Sequence, residues 1–287
     1  MASLTTIPPE IVEEVILFMD PIQVTAISRC SHLLHSLVNH PKDDTLWRKL
    51  YLRQPLDDPR KCVSLLGVPR KHIDWKGELQ RLIRAWNVLH HPSLCGVGER
   101  LVILRTLIHL LSHVPPLSSI KDNQVSRNHV WITTALEGSS FLDSTALDAS
   151  EEENQLCARL RTYYGLTRVD WKEATRKAMR GQVYDLRNYT DENVYGPYEW
   201  DGRVNWVHVN ALRHVVGMHI EDMREEGSYK YSIFPMSLPC TQIVIPHGVD
   251  LDEEMDWAGV GGDWRLSICI YDSGELSSAC KLLFCLL

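Results

Sequence analysis

Prolines at positions 8, 9, 21 and 41 divide residues 1–53 into short segments, and each segment carries apolar residues at helical spacing. Pro8-Pro9 precede a stripe of Ile11, Val12, Val15, Ile16 and Met19, which predicts a first helix. Proline suits the first helical turn, where its missing N–H would have had no partner. Asp20-Pro21 then predicts a second helix capped by the aspartate and marked by Val24, Ile27, Leu34, Leu37 and Val38, ending before Pro41. Leu46, Trp47, Leu50 and Tyr51 mark a short third helix. A miniature three-helix core cannot bury every one of these apolar positions. The surplus predicts a docking module whose remaining apolar surface is covered by a partner.

Residues 54–70 contain Pro55, Asp57, Asp58, Pro59 and Pro69 and read as a connector. Beyond it, helices are expected around Leu79–Trp86, from Glu99 to Val114, over Val130–Leu142 and Glu152–Tyr164, and over Val204–Met223. Gln182–Leu186 and Gln242–Ile245 read as strands, and Leu266, Ile268 and Ile270 alternate with polar or smaller residues as in a half-buried strand. Between them lies an aromatic loop with Tyr189, Tyr195, Tyr198 and Trp200. The expected fold is α+β and mainly α. Residues 1–53 form the helical module, 54–70 the connector, 71–240 a mainly helical region, and 241–287 an incomplete β-containing segment.

The run Ile7-Pro8-Pro9-Glu10-Ile11, the corner Met19-Asp20-Pro21, the segment Ile27-Ser28-Arg29-Cys30-Ser31 and the late Trp47 together resemble an F-box. Ile7 and Met19 stand where that pattern usually has leucine, and Cys30 where it usually has valine. The resemblance implies a non-catalytic receptor subunit of an SCF-type ubiquitin ligase, with an unknown protein substrate. Its partner would be a Skp-family adaptor, which links it to a cullin and a RING subunit. The adaptor-binding residues it implies are Ile7, Pro8, Pro9, Ile11, Val15, Ile16, Met19, Val24 and Trp47.

Asp256-Trp257-Ala258-Gly259 and Gly262-Asp263-Trp264-Arg265 are similar to a stretch in fungal, basidiomycete-type F-box proteins. Trp257, Gly259, Trp264 and Arg265 are therefore expected on a substrate or ligand surface. Gly262-Asp263-Trp264 is also similar to the opening of lipocalin-like barrels, which makes a small-ligand or peptide binder with a partial barrel and a vestigial F-box the alternative. Few residues follow Trp264, so a complete barrel is not expected, and a truncated gene product is one reading of the end.

Other chemistry is weakly signalled. A net charge of −7 argues against global attraction to nucleic acid or to an anionic membrane surface. No apolar run is long enough to span a bilayer. The eight cysteines are scattered without a CxxC, and Met1 to Glu10 lacks the pattern of a secretory leader. Reduced thiols in the cytoplasm or nucleus are expected. His109 and His113 have helical i, i+4 spacing, and His90, His91 and Cys95 are candidate further ligands. No acidic residue lies between the pair, and histidines at a helix flank are the favoured reading, so no metal or other cofactor is expected. No nucleophile motif points to catalysis.

Overall fold

The computed structural model describes residues 7–39, 44–117, 125–142 and 149–225, and beyond them 242, 244, 245, 250, 253, 266–269 and 283–286. Two compact units divide at Val244 and Ile245. The first is mainly helical.

Its N-terminal part holds four helices, not three: α1 (Pro9–Ile16), α2 (Pro21–Ile27), α3 (His32–Asn39) and α4 (Thr45–Leu52). The expected second helix breaks at Ser28–Ser31. Ser28 donates its hydroxyl to the Thr25 carbonyl at 2.7 Å, and the Ser31 hydroxyl accepts from the Leu34 N–H, starting α3 afresh. Serine competes in this way with the helical backbone ladder. Asp20 caps α2 as expected: its carboxylate accepts from the Ile22 N–H at 2.9 Å, and Gln23 Oε1 accepts from the Asp20 N–H.

The helical body follows with α5 (Trp75–His90), α6 (Glu99–Leu111), α7 (Arg127–Leu136), α8 (Glu151–Tyr164), α9 (Glu173–Tyr184) and α10 (Trp206–Glu225). The α8, α9 and α10 helices pack together, and α8 also packs on α6. The expected strand at Gln182–Leu186 is instead the end of α9 and a short 3₁₀ turn over Leu186–Asn188. Two two-residue strands, β1 (Val63–Ser64) and β2 (His113–Val114), pair antiparallel. The second unit contains β3 (Leu266–Cys269) and β4 (Leu283–Leu286), also antiparallel, with Leu266 opposite Leu286. The predicted β3 strand is present, but its partner is β4. Gln242, Val244 and Ile245 are not in a strand.

One apolar core runs from Val12 and Ile16 through Trp47, Leu79 and Leu107 to Leu160, so the N-terminal helices and the body share it. The connector is packed as well. Leu56, Asp57, Pro59 and Cys62 are buried. Asp57 explains the packing: its carboxylate accepts from the Ser126 hydroxyl at 2.5 Å and from the Arg127 and Asn128 N–H groups at 3.1 Å. The Asp57 N–H donates to Asn128 Oδ1 at 3.0 Å. A side chain some seventy positions upstream thus satisfies the free N–H groups opening α7, where the helix dipole also favours negative charge.

Candidate functional site

The stripe predicted on α1 divides into two faces. Val12 and Ile16 point into the core with Leu17, at 5%, 0% and 4% exposure. Ile7, Ile11, Val15 and Phe18 recur at intervals of four, four and three residues and stay outside. Phe18 is 82% exposed, and Ile22 on α2 is 52% exposed. Adjacent helical residues lie about 100° apart around the axis, so Ile11 and Val12 necessarily serve different neighbours.

Rigid contacts support this surface from behind. Trp47 Nε1 donates to the Val38 carbonyl at 2.9 Å and ties α4 to α3. Arg53 donates to the Leu17 carbonyl, and its guanidinium lies 5.1 Å from the Phe18 ring centre. Lys49 pairs with Glu14 at 2.7 Å and holds that carboxyl below its usual range.

The sequence-predicted docking residues therefore fall into two groups. Ile7, Pro8, Pro9, Ile11 and Val15 are exposed. Ile16, Val24 and Trp47 are buried at 0%, 0% and 1%, and Met19 packs partly buried against the core. The buried side chains fix the shape of the face. Phe18 and Ile22, also exposed, are not among the residues expected there. The signal for Phe18 was the continuation of the 7, 11, 15 spacing.

A second exposed surface lies far along the chain. Leu186, Val194, Tyr195 and Trp200 are 81%, 75%, 62% and 83% exposed, all within the loop joining α9 to α10. Its backbone is held firmly. Asn188 Nδ2 donates to the Gln182 carbonyl, Asn193 Nδ2 to the Asn188 carbonyl, and the Thr190 N–H to Asn193 Oδ1. The Tyr189 hydroxyl donates to the Val183 carbonyl and so accepts from His208 Nε2 on α10, 3.1 Å away. Val194 and Tyr195 adopt the left-handed backbone region, with φ of 56° and 52°, which is costly for a β-branched residue. Arg187 holds the Asp185 carboxyl down to about 2. The aromatic loop was visible in sequence, but nothing there distinguished an exposed loop from a packed one.

Trp257, Gly259, Trp264 and Arg265 lie outside the described residues. His109 and His113 stack, with ring centres 4.5 Å apart. Among the described residues no cluster of three or more His, Cys, Asp or Glu side chains could hold a metal, and no helix is long and apolar enough to cross a membrane.

Residues 4–45 match the F-box domain. The match covers α1 to α3 and stops at the start of α4. No curated protein and no solved structure matches the chain.

Proposed function

We propose that this chain is the substrate-receptor subunit of an SCF-type ubiquitin ligase. The observation carrying the proposal is the uncovered outer stripe of Ile7, Ile11, Val15 and Phe18, within a segment that matches the F-box domain. A Skp-family adaptor would cover this stripe, and a cullin and a RING subunit would join through that adaptor. The chain itself would perform no chemistry and would reside in the cytoplasm or nucleus. The similarity of residues 256–265 to fungal, basidiomycete-type F-box proteins supports placement in that branch.

The face has suitable energetics. Each half-exposed aliphatic side chain covered on binding contributes roughly 1 kcal/mol by area, and a large aromatic such as Phe18 contributes more. The α10 helix packs on α8, whose Leu160 belongs to the core shared with the N-terminal helices. This supports a geometry in which a protein held on the loop joining α9 to α10 keeps a constant position relative to the adaptor. Exposed aromatic side chains on an internally braced loop are suited to such contact, because little ordering entropy remains to be lost.

Co-precipitation with a purified Skp-family adaptor tests the reading. Wild-type chain should retain the adaptor, and the I11A/F18A double variant should lose it by tenfold or more, as expected for two apolar truncations in one contact. Equal retention by both would refute the proposed face.

A further inference from the structure

A cavity of about 310 Å³ lies where α4, the connector and the helical body meet. Pro59 of the connector, Leu82 of α5, and Val102 and Leu110 of α6 supply apolar wall. Its size falls at the small end of ligand sites.

The polar wall is lopsided. Arg70 and Glu78 form an ion pair there, and each side chain is only 10% exposed. Both Glu78 oxygens accept from Arg70. The Asp57 carboxylate is engaged by Ser126, Arg127 and Asn128, and Asn128 Oδ1 by the Asp57 N–H. The charged and amide acceptors of the wall are therefore occupied.

The donors are not. An arginine carries five N–H donors. Two of those on Arg70 are directed to Glu78, and the rest have no protein partner among the described residues. Tyr51 is 2% exposed, and its hydroxyl likewise has no partner there. Burial pushes the Tyr51 phenol up, so it remains a donor at neutral pH. Burial pushes the Cys62 thiol up to about 12, so no thiolate competes for these donors. Arg81 and Arg105 also line the cavity, and among the described residues their ion-pair partners are Asp74 and Glu152, each more than half exposed. The Arg70 and Tyr51 donors open onto the cavity and are not sealed from solvent, so a ligand carboxylate can replace water as their acceptor beside a largely apolar wall.

We propose that this cavity binds a small carboxylic acid with a compact apolar or aromatic body. The carboxylate would meet the spare donors of Arg70 and the Tyr51 hydroxyl, and the body would lie against Leu82, Val102 and Leu110. Such an occupant would touch α4, the connector, α5 and α6 together. This assignment is independent of the ligase reading, because it concerns a different part of the surface.

Calorimetric titration of the full-length chain with benzoate, 4-phenylbutyrate and 2-naphthoate tests it, with their primary amides and inorganic phosphate as controls. At least one acid should bind with Kd below about 1 mM, and its amide at least tenfold more weakly. Tyr51→Phe keeps the ring, whose centre lies 5.5 Å from that of Trp75, and should weaken the acid by about fivefold. Arg70→Met would orphan Glu78 and endanger folding, so Val102→Trp serves as the second variant. Val102 is 49% exposed at the cavity wall, and the larger side chain should abolish binding while leaving the fold intact. The proposal is overturned if no acid binds, if acids and amides bind alike, if only phosphate binds, or if acid binding survives both variants unchanged.

Discussion

Replacing Asp57 by alanine should destabilise the whole helical unit. The carboxylate accepts three hydrogen bonds, from the Ser126 hydroxyl and the Arg127 and Asn128 N–H groups, and the residue is 9% exposed. A charge-assisted hydrogen bond contributes about 1.5–3 kcal/mol, while loss of an ordinary helix cap costs about 1 kcal/mol. The three bonds overlap in what they satisfy, so about 3–5 kcal/mol is expected rather than their full sum. That is a large fraction of a typical domain's stability of about 5–15 kcal/mol. Asp58 is the internal control. It pairs with half-exposed Arg60 and caps the short turn at Pro59–Lys61 through the Arg60 N–H, so its loss should cost about 1–2 kcal/mol. Urea unfolding followed by tryptophan fluorescence measures both variants. Trypsin adds a second readout: Arg60 and Lys61 should resist cleavage in the wild type and become sensitive in D57A. If D57A costs no more than D58A, or if the wild type is cut at once in the connector, the connector is not the clamp described.

The two faces of α1 should separate cleanly by mutation. Ile16→Ala, in the core at 0% exposure, should cost about 2–5 kcal/mol in urea unfolding, whereas Ile11→Ala should cost under about 0.5 kcal/mol and should reduce adaptor affinity instead. Stability should also fall in mild acid through His129. Burial holds this 2%-exposed imidazole down to about 4, below the ordinary value near 6.5. The unfolded chain therefore binds more protons than the folded chain across that window. Its contribution, about 3 kcal/mol, is fully present above pH 6.5 and is lost as pH falls toward 4. His109, also held down to about 4 by burial, acts in the same window. His129→Gln should therefore reduce the pH dependence of the urea midpoint without abolishing it, and an unchanged slope would refute the His129 contribution.

Most helices were legible because their apolar residues are large and regularly spaced. The Leu-rich run of α6 and the Asp20 cap of α2 needed no tertiary information. The unread features depended on particular neighbours. The α9 helix buries no residue fully, so its apolar positions left no stripe, and Val183-Tyr184 at its end passed for a strand. The break at Ser28–Ser31 depends on hydroxyl-to-backbone bonds that spacing does not reveal. Asp57-Asp58-Pro59 reads as a polar loop because the acceptors' partners at 126–128 are remote in sequence. The β3 strand pairs with β4, a stretch that lacks clear alternation. Along α1 and α2, sequence shows a surplus of apolar residues but not its division, which leaves Ile16, Val24 and Trp47 buried and Phe18 and Ile22 exposed.

Amide hydrogen exchange with and without a purified Skp-family adaptor tests the central claim most directly. Backbone amides of α1 and α2, from Pro9 to Ile27, should gain protection when the adaptor is present, while the loop between α9 and α10 exchanges unchanged. Absence of a complex would contradict the account. So would a complex that protects other elements and leaves α1 and α2 exchanging as in the free chain.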